Sequence, residues 1–163
     1  MPATYENIAT TTLGSNQASV TIFSSIPSTY TDLVLVGEFT SSTLIFGGVW
    51  LRFNGDSGTN YSITQVEGDG SSASSYRQSN SSRMEIGYNG VNGRQMLITN
   101  IMNYANTTTN KTSLSRYGNA SNVTRASVGL WRSTSAITSI TIGVDNQQIA
   151  SGSIFTLYGI KAA

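Results

Sequence analysis

The sequence contains neither cysteine nor histidine. The absence of cysteine excludes a disulfide framework and any thiolate metal site. The absence of histidine excludes Ser-His-Asp catalysis and removes the commonest zinc and iron ligand. Any chemistry would therefore have to rely on carboxylates, hydroxyls, amides and basic side chains.

Charged residues are also scarce, at 10% of the 163 residues, compared with about 25% in ordinary globular proteins. The formal net charge of +1 argues against nucleic-acid binding. Residues 1–85 carry seven acids and three bases, whereas residues 86–163 carry one acid and six bases. Because arginine forms planar ion pairs at interfaces, this asymmetry predicts that Arg116, Arg125 and Arg132 contact a neighbouring chain or a capsid. A chance distribution is the alternative.

Long apolar runs are missing as well. No run of about 18 apolar residues is present, so the sequence predicts no membrane contact. The first ten residues, "MPATYENIAT", lack the basic and apolar regions of a secretory signal. The length suits one domain, which we expect to span residues 1–163, with residues 1–16 as an N-terminal arm or an edge strand.

The chain has instead a nearly continuous alternation of apolar and polar residues with a period of two. In "GVWLRFN", for example, Val49, Leu51 and Phe53 fall on one face. Roughly ten such segments at intervals of about 8 to 15 residues predict an all-β fold, an antiparallel β-sandwich of the jelly-roll type with almost no helix. The polar stretch "GDGSSASSYRQSNSS", residues 68–82, is interpreted as a long surface loop.

The stretch "NGDSG", residues 54–58, could be a metal site or a turn. Calcium takes about 6 to 8 oxygen ligands, and the stretch offers one carboxylate, Asp56. Asn-Gly between two alternating segments is instead typical of a hairpin turn. We therefore predict a hairpin turn, with no metal and no cofactor. Calcium bound by Asp56 together with Glu67 and Asp69 remains the minor alternative.

Two apolar features suggest contacts with other chains. Leu44, Ile45 and Phe46 follow one another between Ser/Thr and Gly pairs, so this tip either plugs the end of the sandwich or meets a neighbour. Trp50 and Trp131 each alternate with the aliphatic residues of their own strand, which places them on the opposite, outer face of a sheet. Such an aromatic residue can stack on a sugar, fill a subunit contact or be covered within the fold.

Three segments resemble a known module. "LRFNGDSGTNYS" at 51–62, "NYANTTTNKT" at 103–112 and "GSIFTLYGIK" at 152–161 are similar to a β-sandwich found in virion proteins of tailed bacteriophages. The resemblance covers most of the chain, from about Val20 to Ile160. Its motifs are structural, so it implies a fold and a virion setting, and it carries over no catalytic residue.

The resemblance and the composition together lead to a functional expectation. A chain without a long fibrous stem looks like a capsid decoration (cement) protein, which would bind junctions of the major capsid protein in a virion assembled in the host cytoplasm. The alternative is a tail-fibre module that recognises a host surface glycan. We expect no enzymatic activity, because no acid pair sits in a motif that indicates a cleft. Because similar phage proteins stand on three-fold positions, a homotrimer is expected.

Overall fold

The computed structural model describes residues 4–43, 47–89, 93–119 and 123–161. These residues form twelve strands and no helix, which confirms the predicted antiparallel β-sandwich with two strands more than expected. None of the described segments could therefore cross a membrane as a helix. In chain order the strands are β1 (Tyr5–Thr12), β2 (Ser19–Phe23), β3 (Asp32–Phe39), β4 (Gly47–Phe53), β5 (Tyr61–Gly68), β6 (Ala73–Ser81), β7 (Met84–Asn89), β8 (Gln95–Met102), β9 (Lys111–Asn119), β10 (Val123–Trp131), β11 (Ile140–Val144) and β12 (Ile154–Ile160).

The strands are divided unequally between two sheets. The large sheet has eight strands in the order β1-β12-β3-β8-β9-β10-β5-β6, and the small sheet has four in the order β2-β11-β4-β7. Every neighbouring pair is antiparallel. The N-terminal strand β1 forms one edge of the large sheet and β6 forms the other. The jelly-roll topology stays a prediction.

The hydrophobic core lies between the two sheets. Because side chains alternate across a strand, every second residue points inward, and Leu35, Leu97 and Leu157 of the large sheet are fully buried there. Large rings fill the space beside them, for instance Phe39, which stacks on Phe155 with ring centroids 5.9 Å apart. The core therefore fills the space between the sheets, and the outer face of each sheet points away from it.

The prediction of a loop at residues 68–82 is wrong for most of that stretch, because Ala73–Ser81 forms strand β6. This strand pairs with β5 from Gly68↔Ala73 to Tyr61↔Ser81. Nearly all its side chains are exposed, so it has no apolar face to show in the sequence. It is a strand because its backbone pairs with β5, and the pattern of apolar and polar residues does not reveal such pairing.

The stretch "NGDSG" is a turn, as predicted, but not a hairpin. Asn54 and Gly55 have φ values of 54° and 68°, and the Asp56 amide donates to the Phe53 carbonyl at 3.0 Å. Two successive positive φ values are what an Asn-Gly pair favours in a type I′ turn. The strands that it joins, β4 and β5, pair with other strands and lie in different sheets. The turn is therefore a corner between the two sheets.

Candidate docking face

The outer face of the large sheet carries several exposed apolar side chains among its polar ones. We define this outer face by the side chains of the large sheet that point away from the core. The most exposed of its apolar members are Val66 (58%), Met96 (56%), Val128 (55%), Met102 (40%) and Leu114 (38%). An antiparallel sheet with one solvated face ordinarily places polar side chains there. Five large exposed apolar residues on adjacent strands therefore make this face the candidate docking surface.

Strand register shows that apolar side chains of neighbouring strands stand side by side on this face, with Arg116 among them. Leu114 of β9 stands opposite Val128 of β10, and Ala126 of β10 stands opposite Val66 of β5. On the other side of β9, Arg116 faces Ile98 of β8, and Ile98 in turn faces Val36 of β3. The outer face thus runs without interruption across the five central strands from β3 to β5.

Arg116 is the central charge of the outer face. It lies on β9, is exposed, and pairs with no acid among the residues that the structure describes. The nearest described acid on the same face is Glu38 of β3, which forms an ion pair with Arg94. Of the three arginines that the sequence analysis singled out, Arg116 is the one placed to meet a partner.

Two shallow grooves meet at Arg116 and Thr124. One, of about 570 Å³, is bounded by Glu38, Arg94 and Met96, and the other, of about 460 Å³, by Val66, Gly68 and Ala126. Their walls are mainly apolar side chains of the outer face. Side chains of another protein could pack into these two grooves, and Arg116 would lie between them.

Arg125, the second predicted contact residue, lies inside the fold. Only 5% of its side chain is exposed, and it pairs with Glu67 at 2.5 Å and with Glu85 at 2.9 Å. The guanidinium also stacks over the ring of Tyr88 at 5.2 Å. Because Glu67 belongs to the large sheet and Glu85 to the small one, Arg125 joins the two layers and is not available to a partner.

Arg132, the third, is engaged within the chain. Its guanidinium donates to the Ser62 hydroxyl at 2.6 Å, the Thr59 carbonyl at 3.0 Å and the Asn80 side chain at 2.9 Å. These contacts tie the segment after β10 to the ends of β5 and β6. The burial of Arg125 contradicts its predicted contact, whereas the pairing of Arg132 with an acid of another chain stays a prediction.

Trp131 is in the core, contrary to the prediction that it faces outward. It is 2% exposed, stacks on Tyr61 with centroids 6.3 Å apart, and lies 5.6 Å from Phe53. The inward positions of β10 belong to Arg125, Ser127, Gly129 and Trp131, so its aliphatic residues point outward. The sequence interpretation had the two faces of this strand reversed.

Trp50 does lie on the outer side of its strand, but it is covered. Its ring lies against Gly143 of the neighbouring strand, where any β-carbon would come within 2.1 Å of the indole. Arg52 and Arg83 cover the ring with their guanidinium carbons 4.8 and 5.6 Å from its centroid. With 7% of the residue exposed, neither ring face is open for a sugar to stack on.

The three acids considered as calcium ligands each bind donors of the protein itself. Asp56 accepts hydrogen bonds from Trp131 Nε1 at 2.6 Å, from Asn60 at 2.9 Å and from the Gly58 amide at 2.8 Å. Burial acts to raise the pKa of Asp56, but these hydrogen bonds outweigh it and hold the pKa below its ordinary value.

Glu67 and Asp69 are occupied in the same way. Glu67 accepts from Arg125 and from the Ser74 hydroxyl, and the Arg125 contact holds its pKa below the ordinary value. Asp69 accepts from the amides of Ser71 and Ser72 at 2.8 and 2.7 Å, which lowers its pKa too. No group of three or more His, Cys, Asp or Glu side chains within the described ranges is arranged to hold a metal ion.

We therefore expect chelation to leave the stability unchanged. Because donors within the protein already satisfy these carboxylates, EDTA should shift the melting temperature by less than about 1 °C. Thermal melts with EDTA, and with EDTA followed by excess calcium, check this expectation. A fall of several degrees that calcium reverses would show instead that a bound ion stabilises the native state.

The apolar tip at Leu44, Ile45 and Phe46 lies outside the described residues. The outer face was missed by the sequence analysis, although the sequence carried a signal for it. Segments such as "QMLITNIM" and "ASVGLW" are apolar on both faces, which is typical of strands covered on both sides. The structure covers one side of these strands with the small sheet and leaves the other open.

Comparison with known proteins adds no constraint to this site, because no known family, curated protein or solved structure shows significant similarity to the chain.

Proposed function

We propose that the protein is a non-enzymatic structural component of a bacteriophage virion, acting as a capsid decoration protein. The observation that carries the proposal is the group of exposed apolar side chains on adjacent strands of the outer face. A sheet face with side chains as exposed as Val66, Met96 and Val128 is suited to stable contact in an assembly. The virion setting itself comes from the resemblance of three segments to phage virion modules.

The described chemistry supports a binding role in preference to catalysis. The chain has no histidine or cysteine, and the acids Asp56, Glu67 and Asp69 are engaged by protein donors. The buried amine of Lys111 donates to the carbonyls of Thr109 and Thr134 at 2.8 and 3.2 Å. A contact protein requires no reactive group, since buried area and polar complementarity supply its affinity.

The glycan-binding alternative has less support. It depended on Trp50 and Trp131 as stacking platforms, and a sugar needs an open ring face. Trp131 is packed in the core, and Trp50 is enclosed between Gly143 and two arginines. We therefore propose capsid decoration in preference to a receptor-binding module.

Adding the purified protein back to stripped particles tests the proposal. We expect the wild-type chain to co-sediment with heads of the phage that encodes it, and a Val66→Ser/Met96→Ser/Val128→Ser variant to bind at least tenfold more weakly. The three changes lie at exposed positions, so the variant should keep its fold.

A matched control is available on the opposite side of the same sheet. Tyr76 is 49% exposed, but it stands opposite the inward-facing Gln65, so it does not belong to the outer face. Tyr76→Ser should bind particles as the wild type does. The proposal would fail if purified virions lack the protein, or if the triple variant decorates heads at wild-type levels.

A further inference from the structure

We propose that the outer face is covered by a second copy of the same chain, in a face-to-face dimer with a two-fold axis running along β8. The inference rests on the proposed role as an assembly protein and specifies what the outer face binds. The dimer, and not the homotrimer expected from the resemblance, would be the unit that decorates heads. The outer-face triple variant would then bind heads weakly because it no longer dimerises. Three features carry it: the size of the face, the position of its charges and the strand order.

The size of the face suits a complete dimer interface. Seven strands, all but β6, overlap about this axis; spaced about 4.8 Å apart, with about eight residues each rising about 3.4 Å, they give a face on the order of 900 Å². A stable interface of standard size buries about 800 Å² on each partner. One sheet face packed on its own copy would therefore reach that size without any further surface.

The charges of the face are complementary to themselves. On the five strands from β3 to β5, the outward cation without an acid partner among the described residues is Arg116 on β9. The acids at outward positions, Asp32 and Glu38, are both on β3, and Glu38 pairs with the exposed Arg94 of its own chain. Strand β8 lies between β3 and β9 in the sheet. In face-to-face packing the two-fold axis lies in the plane between the sheets, so an axis along β8 sets β9 of each copy over β3 of the other.

The register brings the opposite charges close. Arg116 stands level with Ile98 and Val36, and Glu38 is two residues further along β3 on the same face. This offset is about 7 Å, which is within reach of an arginine side chain. Each Arg116 would then share Glu38 of the other copy with that copy's own Arg94, whose side chain is 65% exposed.

The rest of the strand order is compatible with this axis. It places β10, with Val128, over β12, whose outward side chains include Tyr158, and it places β5 over β1. Strand β6 extends beyond the overlap. The exposed Arg77 of β6, opposite Thr64 on the outer face, therefore stays in solvent. Apolar contacts fill the centre, and each copy contributes one ion pair.

Charge reversal with the full-length protein provides the test. We expect sedimentation velocity to show a dimer for the wild type at about 10–100 μM. Arg116→Glu and Glu38→Arg should each raise the dimer dissociation constant at least tenfold, because each places like charges together twice. Arg77→Glu, which changes an exposed arginine on the same face, should leave the dimer intact.

Mixing the two disruptive variants should restore the dimer. In a mixed dimer the new glutamate at position 116 faces the new arginine at position 38, and the second contact keeps the native Arg116 and Glu38. Native mass spectrometry with one variant isotope-labelled would detect this mixed species. Its formation also shows that both variants are folded.

Three outcomes would overturn the inference: a monomer at every concentration, a trimer, or a dimer that Arg116→Glu leaves unchanged. Each is independent of particle binding, because sedimentation uses the isolated chain. A chain that dimerises but does not bind heads would refute the decoration role and leave the dimer standing. A chain that stays monomeric but binds heads would refute the dimer and support the decoration role. The outer face would then be the surface that contacts the capsid.

Discussion

Replacing Arg125 with methionine should lower the free energy of unfolding by about 2–4 kcal/mol at neutral pH. Methionine keeps much of the side-chain volume but leaves Glu67 and Glu85 without their cation. Breaking a fully buried ion pair costs about 3–5 kcal/mol. Because 33% and 24% of the two carboxylate side chains are exposed, water relieves part of that cost. In a chain of this size, the loss corresponds to a fall in melting temperature of roughly 5 to 15 °C.

The effect of the Arg125 change should shrink as the pH falls. In the wild type the arginine holds the pKa of Glu67 below the ordinary value of 4.5. A lowered folded-state pKa contributes stability above the unfolded value, and this stability is lost as the pH falls through the folded value. The Arg125→Met variant lacks this contribution to the free energy of unfolding, so a fall in pH lowers the stability of the wild type more than that of the variant. Urea titrations at pH 7 and below pH 4.5 should show the two chains converging.

Lys161 supplies the matched control for Arg125. It pairs with Glu6 at 2.8 Å, but 47% of its side chain is exposed. An exposed ion pair contributes about 0–1 kcal/mol, so Lys161→Met should lie near the wild type at neutral pH. Equal losses for Lys161→Met and Arg125→Met would mean that burial of the network does not determine its strength. A loss for Arg125→Met that does not change with pH would mean that packing, and not charge, accounts for it.

The sequence predicted the fold class well because alternation with a period of two is a property of each strand by itself. It did not predict which face of a strand would be buried. In β10, Val128 and Leu130 alternate with Ser127, Gly129 and Trp131, and the aliphatic pair was the natural choice for the core. The structure buries the tryptophan and exposes Val128, because Phe53 and Tyr61, which lie on other strands, pack against the indole.

Long-range pairing explains the other differences between expectation and structure. Arg125 meets Glu67 and Glu85 from positions 58 and 40 residues away, so no local pattern could show that it would be buried. The turn at 54–58 was recognised from its Asn-Gly pair, but the corner it forms depends on which strands β4 and β5 join. The sequence therefore predicted most of the strands, with β6 as an exception, and the turn chemistry. The pairing of strands into two sheets, which no local pattern shows, determined which residues lie at the candidate site.

The second large effect should come from the contact between Trp131 and Asp56. Trp131→Phe should lower the free energy of unfolding by about 2–4 kcal/mol, because it removes a hydrogen bond to a charged group and leaves a gap beside Tyr61 and Phe53. The bond runs from the buried indole Nε1 to Asp56 Oδ2 at 2.6 Å and fastens the corner between the sheets to the core. Asp56→Ala should also be destabilising, since it leaves the indole N–H without an acceptor. Chemical denaturation of both variants and of the double variant measures the coupling.

The other tryptophan of the chain makes the comparison specific. Trp50 is also buried, but its Nε1 has no hydrogen-bond partner within the described part of the chain. Trp50→Phe also replaces an indole by a phenyl ring and removes its N–H, but no hydrogen bond is lost. The free energy of unfolding should therefore fall by about 1–2 kcal/mol less than for Trp131→Phe. The double variant Trp131→Phe/Asp56→Ala should be more stable than the sum of the single losses implies, by about 1 kcal/mol or more. Additive losses would show that Trp131 stabilises the corner by packing alone, and that Asp56 acts only through its contacts with Gly58 and Asn60.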